Sequence, residues 1–206
     1  TAAAAGSYIA GTTIGGLFGR LVAGPIGDAA GWHAGILVVA LACAVSGLLF
    51  LLLVPPARGF VPLRLRAERG PSLLHRLGVN LHSRREFALY LQGFLLMGGF
   101  VALYNYLGFA LAEPPYSLPH WLVSLLFLAY LAGTAASPLA GSLASRIGRL
   151  PALLASSALT AAGAALTLVP AVVVVLVGLL VFTAGFFGAH TVASSWAPAV
   201  ADPDAR

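Results

Sequence analysis

The sequence contains no lysine, a single cysteine and a single methionine, and only 8% of its residues are charged. A soluble globular domain carries about 25% charged residues. A chain of 206 residues with so few charges cannot cover a water-facing surface. A soluble enzyme is therefore excluded, and lipid is the expected solvent. Cys43 lies inside an apolar run and has no second cysteine to pair with, so it reads as a small packing residue. There is no phosphate-cradling loop ending in Gly-Lys-Ser/Thr, no His-Glu-x-x-His pair and no Gly-x-Ser-x-Gly elbow. The five histidines show no metal-ligand spacing. No enzyme activity, metal or cofactor is expected.

What the chain does have is hydrophobic residues, at 60%. About 20 consecutive apolar residues span the hydrocarbon core. Runs of that length lie at 5–27, 34–54, 87–112 and 121–143, and a longer one covers 150–192. As a single helix the last run would extend over about 60 Å, twice the core thickness of about 30 Å. Pro170, near its middle, permits a turn and suits the start of a new helix, so the run divides there. The expectation is an all-α, polytopic transmembrane bundle of six spans.

The charges fit that count. Arg58, Arg64, Arg66, Arg69, Arg76, Arg84 and Arg85 lie between the second and third runs. Arg146 and Arg149 lie between the fourth and fifth, and Arg206 follows the sixth. The opposite connections, 28–33, 113–120 and the turn at Pro170, contain neither arginine nor lysine. This asymmetry follows the positive-inside rule and puts both ends of the segment in the cytoplasm. It also explains the net charge of +5 without invoking nucleic acid. The chain begins at Thr1 and ends in a polar stretch at Arg206, which reads as a segment of a longer protein.

Several features concern packing. Gly11, Gly15 and Gly19, and then Ala129, Gly133, Ser137 and Gly141, place small residues at every fourth position, the spacing of close helix pairs in lipid. Pro25 and Pro138 fall within spans and mark bends. Leu73, Leu74, Leu77 and Leu81 recur at helical spacing between basic residues, which suits either a short interfacial helix or a solvated linker. Trp32, His33, Trp121 and Trp196 sit at span ends as interfacial anchors.

A few polar residues interrupt the spans. Arg20 lies inside the first, where a charge costs at least ~2.5–3.5 kcal/mol and faces a partner or a cavity. Tyr104, Asn105 and Tyr106, with Tyr130 and Thr134, either line a substrate cavity or stitch helices together. Gln92 sits near the cytoplasmic end. His190 either relays protons or bonds a neighbouring helix. Proton coupling calls for a buried carboxylate. Asp28 and Glu113 lie near the outer surface and the other acids fall in cytoplasmic loops, so no carrier is identified.

Residues 141–149, Gly-Ser-Leu-Ala-Ser-Arg-Ile-Gly-Arg, resemble the G-x-L-a-D-r-x-G-r-k loop of the major facilitator superfamily. Gly93–Ala110 and Ala184–Ala197 are similar to helices 7 and 10 of its bacterial arabinose-efflux-like, drug:proton antiporter members. The resemblance covers nearly the whole chain and implies helices 5 to 10 of a twelve-helix fold. Residues 1–54 then end the N-terminal half, 55–86 form a cytoplasmic basic linker, and 87–206 begin the C-terminal half. It further implies proton-coupled efflux of a small molecule by alternating access in a bacterial inner membrane. Gly141, Ser145, Arg146, Gly148 and Arg149 would form a gating loop, and helices missing from the segment would be needed for transport. The sequence departs from the pattern at Ser145, where an acid is usual. It departs again at Gly24-Pro25-Ile-Gly27-Asp28 and at Arg20, where the antiporter signature carries glycines. Two rivals are a six-helix permease subunit of a multi-component transporter and a membrane interaction protein with no transport cycle.

Overall fold

A computed structural model describes residues 2–55 and 72–200. The elements are α1 (Ala2–Ala30), α2 (Trp32–Leu53), α3 (Leu73–His82), α4 (Arg84–Ala112), α5 (His120–Ser124), a 3₁₀ segment (Leu125–Ala129), α6 (Tyr130–Ile147), α7 (Arg149–Leu166) and α8 (Val172–Val200). No strand occurs among the described residues. Arg58, Arg64, Arg66, Arg69 and Arg206 lie outside the described residues, as do the side chains of Leu73 and Arg76.

Five helical stretches are long and apolar enough to cross a membrane: Trp32–Leu53, Arg84–Ala112, His120–Ile147, Arg149–Leu166 and Val172–Val200. α1 stands outside these five. Its 29 residues nevertheless reach about 43 Å at 1.5 Å per residue, enough for a crossing. The long final run divides where Pro170 predicts. Thr167 Oγ1 donates to Ala164 O at 2.7 Å and closes α7, and Val175 N bonds Ala171 O to open α8. Two other corners turn on single glycines. Gly31 joins α1 to α2 at φ 84°, and Gly148 ends α6 and starts α7 at φ 94°, a region that a Cβ disfavours.

α8 is the central helix and packs against α4, α6 and α7. Its crossing with α7 depends on absent side chains. A Cβ on Gly163 would run into the Phe182 backbone, and one on Gly185 into Thr160. A Cβ on Gly188 would lie 3.0 Å from Ser156 Oγ. On α6, Gly133 lies under the Phe187 ring. The expected stripe on α1 behaves otherwise. Cβ atoms on Gly11, Gly15 and Gly19 would meet nothing within 4 Å, and the same is true of Gly141. Spacing alone shows where a close approach is allowed, and of these five glycines only Gly133 is used for one.

α3 forms the short helix expected in the linker. Ser72 Oγ caps it by accepting from His75 N at 3.2 Å. Leu74, Leu77 and Leu81 are exposed along it, as an interfacial helix requires.

Candidate functional site

α1 meets the rest of the bundle along α5, the 3₁₀ segment and the start of α6. The approach is closest at Gly24, where a Cβ would collide with Ser124 Oγ. One turn inward Arg20 projects across the junction, with its guanidinium carbon 4.3 Å from the centre of the Phe127 ring. Phe127 belongs to the 3₁₀ segment in the middle of a span. Such a segment re-aims side chains and often marks a hinge.

Behind Phe127 lies a continuous group of rings. Phe127 stacks on Tyr104, with centroids 5.2 Å apart and planes at 21°. Tyr130 meets Tyr104 edge-on at 5.2 Å and 89°, and meets Phe127 at 5.7 Å. Phe100 is the hub: it lies 4.7 Å from Tyr104, 5.5 Å from Tyr130 and 4.0 Å from Phe186. Phe186 in turn stacks on His190 at 5.8 Å and 13°. The rings thus run without a break from Arg20 to His190.

Tyr104 is 3% exposed, and its hydroxyl pairs with Thr183 Oγ1 at 2.7 Å. Thr183 spends its own proton on Leu179 O, also at 2.7 Å. Tyr104 is therefore the donor to Thr183. The Tyr130 hydroxyl makes no hydrogen bond among the described residues. Arg20 forms no ion pair among them either. Arg20 also borders an open groove of about 540 Å³, lined by Gly15, Gly16, Gly19, Ala23, Ile36, Val39 and Ala40.

The structure thus joins Arg20, Tyr104 and Tyr130 of the expected substrate residues. It does not join the others to them. Asn105 is exposed and Tyr106 is 73% exposed, and neither makes a side-chain hydrogen bond or ring contact among the described residues. Thr134 is exposed and donates to Tyr130 O at 3.2 Å within its own helix. His190 is half-buried and meets the ring group through Phe186. Gln92 donates to Ser157 Oγ at 2.7 Å and ties α4 to α7. In the loop, Gly141, Ser145, Arg146, Gly148 and Arg149 are all exposed. Ser145, at the position of the usual acid, donates to Ser142 O at 2.7 Å and so serves its own helix end.

Two features escape the sequence reading. One is the ring group, whose rows Phe100/Tyr104 and Phe182/Phe186/His190 have the i, i+4 spacing of one helix face. The other is Glu86. Assigned above to the linker, it stands in the first turn of α4 and is 1% exposed, with its Oε2 unpartnered. Ser83 and Glu86 have the spacing of a capping box, and Ser83 Oγ accepts from Glu86 N at 3.4 Å. That signature was the available signal that the helix starts before Phe87.

The comparisons with known proteins agree with this architecture. The sequence profile of the Major Facilitator Superfamily matches residues 1–206. The chain is 37% identical over 194 residues to YybF, an uncharacterized MFS-type transporter of Bacillus subtilis, covering 94% of the chain and 47% of that protein. It is 39% identical over 191 residues to the inner membrane transport protein YnfM of Escherichia coli, covering 93% of the chain and 45% of that protein. An uncharacterized transporter of Buchnera aphidicola, BU588, is 35% identical over 191 residues, covering 93% of the chain and 46% of that protein. The chain spans about half the length of these relatives. No solved structure matches it. A helical membrane bundle with a glycine-cornered basic loop, matched along its whole length by this family's profile, belongs to the major facilitator superfamily.

Proposed function

We propose that the chain is part of a secondary transporter that exports a small molecule in exchange for protons by alternating access, in a bacterial inner membrane. The observation that carries this is Arg20. It is a full charge within a span, held over Phe127 where α1 meets the rest of the bundle, beside an open groove and without an acidic partner among the described residues. Intramembrane charges face the bundle interior or a water-filled cavity. Transporter sites of this kind lie near the midplane between structural repeats. Tyr104 and Tyr130 complete this wall of the site. Asn105, Tyr106 and Thr134 belong to it only if segments beyond those described here bring a second wall to their exposed faces. The proton half of the reading draws on His190 and Glu86, the titratable side chains set into the α4–α8 region. The exposed Arg146–Arg149 loop acts at the cytoplasmic end, in gating and not in binding.

The test is substituted-cysteine access in the whole transporter, with Cys43 and any other cysteine replaced. Arg20→Cys and Tyr130→Cys are treated with a membrane-impermeant thiol reagent in right-side-out and everted vesicles. Alternating access predicts modification from both sides. Modification from neither side means a dry bundle, and from one side only a static pocket; either result removes the transport reading.

A further inference from the structure

We infer that the site takes an organic oxyanion, anchored by Arg20 and Tyr130 with its apolar body in the groove beside Ile36 and Val39; this rests on the transport reading above. Of the uncommitted polar side chains around Phe127, Arg20 only donates and the Tyr130 hydroxyl can donate, while Asp28 stands two turns along α1 in a separate groove with Gly24 and His120. Arg20 offers five N–H groups in a fixed fork and no acceptor. Its contact with Phe127 uses the face of the guanidinium and leaves the edge N–H groups without partners among the described residues. A cation–π contact offsets less than an intramembrane arginine costs, so the charge requires a further counterpart. The Tyr130 hydroxyl is likewise without a partner among the described residues. The Tyr104 proton is used by Thr183 and the Thr183 proton by Leu179. A cationic or neutral donor would find no carboxylate in the lining of the groove beside Arg20. A carboxylate or phosphate group would find a charge-assisted, two-pronged partner.

The glycines of α1 supply the space. Gly15, Gly16 and Gly19 line the groove beside Arg20, and Cβ atoms on Gly15 and Gly19 would meet nothing within 4 Å. A Cβ on Gly16 would stand 3.8 Å from Tyr130 Cε2. The stripe that elsewhere lets helices touch here keeps room next to a charge, and the groove of about 540 Å³ lies within the range of small-molecule sites.

The experiment places a cysteine at Gly16 in the whole transporter and follows its modification by the impermeant thiol reagent. The probes are benzoate, phenylphosphonate and benzamide at millimolar concentration. Benzoate, phenylphosphonate or both should slow modification about fivefold or more, with benzamide inert, and Arg20→Gln should abolish the protection. Which anion protects tells a carboxylate site from a phosphate site. Equal protection by benzamide overturns the inference, and so does protection that survives Arg20→Gln. No protection by either anion also overturns it and assigns Arg20 to an acid elsewhere in the transporter. If Gly16→Cys does not yield folded protein, Gly19→Cys, which faces open space, takes its place. A cysteine that is modified but never protected removes the anion alone. One that is never modified removes the cavity and the transport reading with it.

Discussion

At the residue scale, the Tyr104–Thr183 pair shows how unequal the two ends of a buried hydrogen bond are. Thr183 donates to Leu179 O and accepts from Tyr104. In Tyr104→Phe, Thr183 keeps its own donation and only one bond of modest worth is lost, about 0.6 kcal/mol by the average for membrane bundles. In Thr183→Val, the Tyr104 hydroxyl stays buried with no acceptor, at a cost of about 1–3 kcal/mol. Thermal unfolding of the purified transporter in detergent should therefore rank Thr183→Val clearly below Tyr104→Phe, itself just below wild type. The reverse order would mean that the proton does not sit where the geometry puts it. Tyr104 was legible in the sequence as a polar interruption of an apolar run. Its neighbours Asn105 and Tyr106 were equally conspicuous, yet both are exposed. Successive helical residues point about 100° apart, and composition does not set the phase of a helix that is apolar on all sides. Glu86 was misplaced for a different reason. The apolar run begins one residue later, and hydropathy does not see a carboxylate that the first helical turn carries inward.

At the element scale, the helices stand where the apolar runs predict, with ends that differ by up to eight residues at α8, because lipid forces long uninterrupted helices and the breaks fall at Gly31, Gly148 and near Pro170. It did not deliver which small-residue rows are used. Gly163 and Gly185 carry the α7–α8 crossing, whereas Gly141 has open space around its Cβ position. Gly163→Ala should force the helices apart and cost about 1–3 kcal/mol as overpacking. Gly141→Ala should be neutral or stabilising by up to about 1 kcal/mol, through helix propensity alone. The recovery of monodisperse protein and its thermal midpoint separate the two. A Gly163→Ala variant as stable as Gly141→Ala would show that the crossing is looser than the structure has it. The interfacial character of α3 was also open in the sequence. The structure gives the stretch a helical form and leaves Leu74, Leu77 and Leu81 uncovered by the rest of the chain.

At the scale of the whole molecule, the arginines and the helix junctions bear on the same question, which is how the chain sits in its membrane. The closest approach between α1 and the rest is Gly24 against Ser124. These residues lie near the ends of their spans that carry no arginine or lysine, at 28–33 and 113–120. The basic residues Arg84, Arg85, Arg146 and Arg149 stand at the other ends, where the helices start or stop in exposed turns. If arginine retention sets orientation, the Gly24–Ser124 contact lies at the outer end, beside an open groove lined by Asp28, Trp32 and His120. Alkaline phosphatase fused after Gly31 or Tyr116 should then be active, and fused after His75 or Gly148 inactive; fluorescent-protein fusions should give the opposite pattern. A reversed pattern would turn the molecule over. The Gly24–Ser124 contact and the groove beside Asp28 would then lie at the cytoplasmic end, with alternating access standing for either direction of transport. A mixed pattern would break the six-span count itself. The orientation of α1, whose 29 residues include both Arg20 and Asp28, would be the first element to reconsider.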